Sequence, residues 1–119
     1  MPQYQLRIDL QTDKIDEFVK NLHSLWLDYL REDGCLSYRT YQELEKDNLF
    51  MIVGEYDTSE AMEKHFQSDS FEVLLGAARV LGKVVSMSTN NVSEKGGYDL
   101  AKSKHAGEVS ETLRASKPV

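Results

Sequence analysis

The sequence predicts an α+β fold: a ferredoxin-like β-α-β-β-α-β chain with an antiparallel sheet and helices on one of its faces. Three observations lead there. Residues 3–10 alternate apolar and polar, residues 15–30 carry an unbroken helical stripe, and residues 49–53 are all apolar.

The first element is QYQLRIDL, residues 3–10. Tyr4, Leu6, Ile8 and Leu10 share one face, and Gln5, Arg7 and Asp9 the other, which is the period of a half-buried strand. Thr12-Asp13 then offers a helix cap. Ile15, Phe18, Val19, Leu22, Leu25, Trp26, Tyr29 and Leu30 follow at i, i+3, i+4, i+7 spacing, so an amphipathic helix is expected there. Asp16 and Glu17 suit the positive end of its dipole, and Gly34 stops it.

CLSYRTYQE, residues 35–43, reads as the second strand, and Glu45-Lys46-Asp47-Asn48 as a polar turn. LFMIVGEY, residues 49–56, is the third strand. Its continuous apolar start implies that both faces are covered. Helices can cover one. A second sheet or a second copy of the chain must cover the other, and in so short a chain a homodimer is the economical answer. Thr58 or Ser59 caps a short helix with Met62, His65 and Phe66 inward. Asp69 or Ser70 caps the next, with Phe71, Leu74, Leu75, Ala78 and Leu81 at helical spacing. Gly82 ends it, and KVVSMST, residues 83–89, is the last strand. Residues 1–89 therefore form the domain. Residues 90–119, rich in Ser, Lys and Gly and poor in aromatics, read as a polar tail or an arm that folds on a neighbour.

Composition excludes several function classes. The 119 residues hold 20 acidic and 14 basic side chains, a net charge of −6, which disfavours binding to a phosphate backbone. The one cysteine, Cys35, allows no intrachain disulfide and no cysteine-based zinc site. The three histidines form no i, i+4 or H-x-H pair, so no metal is expected. Gly96-Gly97 lacks the surroundings of a phosphate loop. No apolar run is long enough to cross a membrane. The start, MPQYQLRIDL, lacks the basic-then-apolar order of a signal peptide, so a cytoplasmic protein is expected.

Two stretches carry a family resemblance. Glu32-x-Gly34-Cys35-Leu36-x-Tyr38 resembles the junction between first helix and second strand in antibiotic biosynthesis monooxygenase (ABM) domains. Glu55-Tyr56-x-x-Ser59-Glu60-Ala61-x-x-x-His65-x-x-Ser68-x-x-Phe71 resembles the family's second signature, and the likeness spans roughly residues 3–89. It implies a dimeric α+β barrel, with two sheets face to face and one pocket per subunit between sheet and helices. Known members include cofactor-free oxygenases of quinols and polycyclic phenols, haem-degrading enzymes and an isomerase of a sugar phosphate. Here the third strand ends in Glu55-Tyr56 where many members have Trp, and Ser70 replaces a second His. The first strand has no Asn and Leu75 stands where the haem branch has His, which argues against haem.

What the resemblance implies for the site is a cofactor-free reaction. A hydroxyl-aromatic binds in an apolar pocket, a base takes its proton, and the anion gives an electron directly to O2. Imidazole titrates near neutrality, so His65 is the candidate catalytic base. Tyr56 and Trp26 are candidate hydrogen-bond donors to the substrate oxygen, with Phe71 and Leu74 as apolar walls. For the tyrosine and tryptophan, core packing with one satisfied polar tip is the commoner role. Arg7 and Arg39 are expected to pair with Glu43 or Glu55 across the sheet or across a dimer interface, His23 to sit on the edge of the apolar stripe, and His105 to be exposed in the tail. Cys35 has no identifiable histidine neighbour to activate it. Three readings follow: a monooxygenase of small quinols or polyphenols with no cofactor, an isomerase or other proton-transfer enzyme in the same pocket, and a non-catalytic ligand-binding or dimerisation module.

Overall fold

The computed structural model describes residues 1–90 and 98–105. Four strands form one antiparallel sheet: β1 (Gln3–Leu10), β2 (Cys35–Gln42), β3 (Leu49–Tyr56) and β4 (Gly82–Thr89), in the order β2-β3-β1-β4. The helices α1 (Ile15–Leu30), α2 (Ser59–Phe66) and α3 (Asp69–Leu81) complete the predicted β-α-β-β-α-β order, with α2 and α3 together filling the second helical place.

The alternation in β1 sets the layers. Tyr4, Leu6, Ile8 and Leu10 are all buried and face the helices. Phe50, Ile52 and Tyr56 of β3 lie on the same side, and Phe18, Phe71, Leu74 and Leu75 descend onto them from α1 and α3. Burial of large apolar side chains at about 1.5–3 kcal/mol each drives this packing.

Several local readings are corrected. Thr12–Lys14 forms a separate 3-10 turn, and α1 begins at Ile15 without a side-chain cap. The cap of α3 is Ser68, not Asp69 or Ser70: its hydroxyl accepts the Phe71 N–H at 3.1 Å. Ser68 wins because Asp69 is already helical. Thr58 caps α2 as expected, accepting from Ala61 N–H at 3.1 Å. The buried stripe of α1 is Phe18, Leu22, Leu25 and Tyr29, narrower than predicted, since Trp26 and Leu30 are exposed.

The outer face of the sheet is only partly covered. Leu49, Met51 and Val53 are half-buried there, and Tyr41 and Val85 are exposed. Across the sheet, neither Arg7 nor Arg39 forms an ion pair with Glu43 or Glu55 among the described residues; Glu55 faces the Ser37 hydroxyl at 3.4 Å.

A fourth helix, α4 (Tyr98–His105), was not predicted. Its Ala101 and Lys104 are buried against the domain. His105 is not exposed: Nδ1 donates to the Phe66 carbonyl at 2.8 Å and Nε2 meets Glu72 at 3.2 Å. The rest of the expected tail or arm lies outside the described residues.

Candidate active site

The site starts with a glycine. Gly54 of β3 stands opposite Tyr4 of β1 on one side and Tyr38 of β2 on the other. A side chain at Gly54 would collide with the Tyr4 ring and crowd that of Tyr38. Its absence lets both rings lean over the strand, and their hydroxyls meet at 2.7 Å. An aromatic pair closing over a glycine is a recurrent use of Gly inside a sheet.

From there a chain of polar groups runs through the core. The Tyr4 hydroxyl lies 2.7 Å from His65 Nε2, and His65 itself is 1% exposed. His65 Nδ1 lies 2.9 and 3.1 Å from the two carboxylate oxygens of Glu32. The Tyr56 hydroxyl donates to Glu32 Oε1 at 2.8 Å. Glu32 is held by a tight junction: Gly34 takes φ +82°, a conformation that favours glycine, and a side chain there would strike Asp57 and Ala61.

These contacts place one hydrogen on the ring. A carboxylate only accepts, so His65 Nδ1 carries a hydrogen; in the neutral ring Nε2 is then the acceptor. With the ring in that form, Tyr4 donates to His65 and Tyr38 donates to Tyr4. Burial holds the Tyr4 and Tyr38 hydroxyls well above their usual pKa. Burial and then the Glu32 charge do the same for Tyr56 and Tyr29. All four stay protonated at neutral pH. The His65 ring is also walled by aromatics, with Phe71, Tyr56 and Tyr29 centroids at 5.1, 5.3 and 5.3 Å.

The main groove lies beside this chain rather than at His65. It measures about 600 Å³ and runs between α1 and β2, walled by Val19, Leu22, Trp26, Tyr29, Tyr38 and Phe50, among others. Tyr38 belongs to both groove and chain. Of the residues singled out from sequence, His65, Tyr56 and Phe71 come together in the core. Leu74 is buried beneath α3, and Trp26 stands apart on the groove wall. The proposed donors are committed elsewhere: Trp26 Nε1–H bonds the Tyr38 carbonyl at 3.1 Å, and the Tyr56 hydroxyl bonds Glu32. His23, on the edge of the apolar stripe of α1, lines the groove. Cys35 is half-buried; burial and then the Glu32 charge push its thiol up, away from the reactive thiolate. Among the described residues no group of three or more His, Cys, Asp or Glu could hold a metal ion, and no helix is long and apolar enough to cross a membrane.

Sequence reasoning missed Glu32, Tyr4 and Tyr38. Glu32 and Tyr38 belong to the Glu32-x-Gly34-Cys35-Leu36-x-Tyr38 motif, and Tyr4 reads in sequence as an apolar strand residue.

The sequence model for antibiotic biosynthesis monooxygenase matches residues 4–75, more than half of the chain. The chain belongs to the antibiotic biosynthesis monooxygenase family. The matched stretch contains every member of the Glu32–His65–Tyr4–Tyr38 chain. Solved structures agree on the fold. A conserved protein from Methanosarcina mazei Go1 superposes with TM-score 0.69 at 22% identity, covering 74% of this chain and 88% of that one. A crystal structure of an antibiotic biosynthesis monooxygenase superposes with TM-score 0.66 at 16% identity, covering 75% and 93%. Rv0793 from Mycobacterium tuberculosis gives TM-score 0.66 at 18% identity, covering 75% and 92%. No curated protein matches this ABM chain.

Proposed function

We propose that this ABM protein is a monooxygenase that oxidises a small quinol or polyphenol with O2, without metal or flavin, and that His65 is the base. The observation that carries the reading is the buried His65 paired with a half-buried Glu32 and wired through two tyrosine hydroxyls to an aromatic groove. A carboxylate that fixes the tautomer of a buried imidazole is what a general base needs. The groove, walled by Trp26, Tyr29, Tyr38 and Phe50, suits a flat aromatic ring. Once its hydroxyl proton is removed, such a ring is electron-rich enough to reduce O2. A dry, preorganised site stabilises the resulting oxyanion better than water does.

The test is oxygen uptake by metal-free, flavin-free protein on a panel of hydroquinones and anthrones, with His65→Ala alongside. The reading expects uptake above autoxidation that collapses in the variant. Deprotonation of a panel compound without uptake would favour the isomerase or proton-transfer reading. No binding at all would favour the non-catalytic one.

We also infer that a second copy covers the outer face of the sheet, giving a homodimer. The half-buried row Leu49, Met51 and Val53, with Tyr41 and Val85 beside it, supports this. Light scattering at micromolar concentration should give twice the chain mass, and a monomer would overturn it.

A further inference from the structure

His65 cannot reach a substrate in the groove directly, because Tyr4 lies between its Nε2 and Tyr38. We infer that Tyr38 is the catalytic residue that meets the substrate hydroxyl, and that Tyr4 relays the proton from Tyr38 to His65. This rests on the proton-abstraction reading above and adds how the proton travels.

The step balances without a co-reactant. The substrate O–H bond breaks and its proton joins the Tyr38 oxygen. The Tyr38 proton moves to the Tyr4 oxygen, and the Tyr4 proton moves to His65 Nε2. The products are a substrate anion and an imidazolium; no electron moves. Because burial keeps both tyrosines protonated, the three transfers occur together rather than through a standing tyrosinate. Each is a hop across a contact of 2.7 Å or, at the substrate, of ordinary hydrogen-bond length.

The relay has a second consequence. Before transfer, the Tyr38 hydrogen points at Tyr4, so the Tyr38 oxygen is free to accept from the substrate. After transfer every hydroxyl has turned: His65 Nε2–H donates to Tyr4, Tyr4 donates to Tyr38, and the Tyr38 hydrogen faces the new anion. One group is thus base contact in the ground state and oxyanion donor afterwards, which is the differential stabilisation catalysis requires. Glu32 is a positioning residue: its carboxylate holds the hydrogen on Nδ1 and stabilises the imidazolium. Its side chain is 20% exposed, so it also offers the proton a way out to solvent.

Two measurements test the relay. In long-range nitrogen–proton correlation spectra of the ligand-free wild-type protein, neutral His65 should be the Nδ1–H tautomer; an Nε2–H tautomer would overturn the relay, since Tyr4 could not then donate. In oxygen uptake, Tyr4→Phe removes the middle hydroxyl without altering the groove wall. It should lower kcat about 100-fold or more while KM changes little, with the Nδ1–H signal retained. An unchanged kcat, or a rise in KM alone, would overturn it. If wild-type protein takes up no oxygen on any panel compound, the oxygenase reading fails, and the tautomer alone decides the relay.

Discussion

Raising the pH from 9 to 11 should strip this protein of several kcal/mol of stability, and the buried tyrosines say how much. Tyr4, Tyr29, Tyr38 and Tyr56 are all buried to 0–3% exposure. Burial raises the pKa of each hydroxyl, with Glu32 adding its charge. In the unfolded chain each titrates near its ordinary value of about 10. The folded state therefore keeps protons that the unfolded state releases. Stability is full below pH 10 and is lost as pH climbs past that unfolded value. At pH 11 one such group costs about 1.4 kcal/mol, and four cost about 5–6 kcal/mol. That is comparable with the whole stability of an ordinary domain, about 5–15 kcal/mol. Urea denaturation at pH 8, 9, 10 and 11, followed by circular dichroism, measures the loss, while absorbance at 295 nm reports tyrosinate. The four should ionise only with unfolding, and Tyr4→Phe should remove about a quarter of the slope. Tyrosinate appearing in a protein that stays folded, with a flat stability to pH 11, would refute the burial argument.

Other consequences are smaller and separable. Gly54→Ala should displace the Tyr4 ring from Tyr38 and abolish uptake while the protein still folds, read by circular dichroism beside the oxygen electrode. Gly34→Ala should cost about 1–3 kcal/mol in urea denaturation, from its left-handed backbone and the contact with Asp57 and Ala61. Thr58→Ala and Ser68→Ala should each cost about 1 kcal/mol by loss of a helix cap. Alkylation of Cys35 by iodoacetamide should be slower than that of an unfolded cysteine at pH 8, and its rate should keep rising at higher pH, because the thiol is pushed up.

The fold was legible because it is written in periodicity. Tyr4 to Leu10 alternates and Phe18 to Tyr29 repeats every third or fourth residue, so strand and helix announce themselves locally. Caps were misplaced where Ser68, Asp69 and Ser70 stand in a row and all can cap; only backbone geometry chooses. The helix α4 was missed because, among its described side chains, the buried ones are a small Ala101 and a charged Lys104, neither of which reads as a core residue in sequence. His65 was legible from its motif, but its partners were not. Glu32 lies 33 residues away and Tyr4 lies 61 away, and no pattern in the chain says that they meet. Tyr4 was hidden further by its own alternation, which displays the ring and conceals the hydroxyl. The clue that could have found the pair was Gly54, a glycine in the middle of an otherwise bulky strand. Such a glycine usually marks a place where something must come close.

The most direct test of the central claim follows the oxygen atoms. Metal-free, flavin-free protein is given anthrone under 18O2 and the quinone product is weighed by mass spectrometry. The account predicts one labelled oxygen in the product and the other in water, with labelled product formed about 100-fold or more slowly in Tyr4→Phe. A product without label, or with the same label at the same rate in Tyr4→Phe, would contradict it.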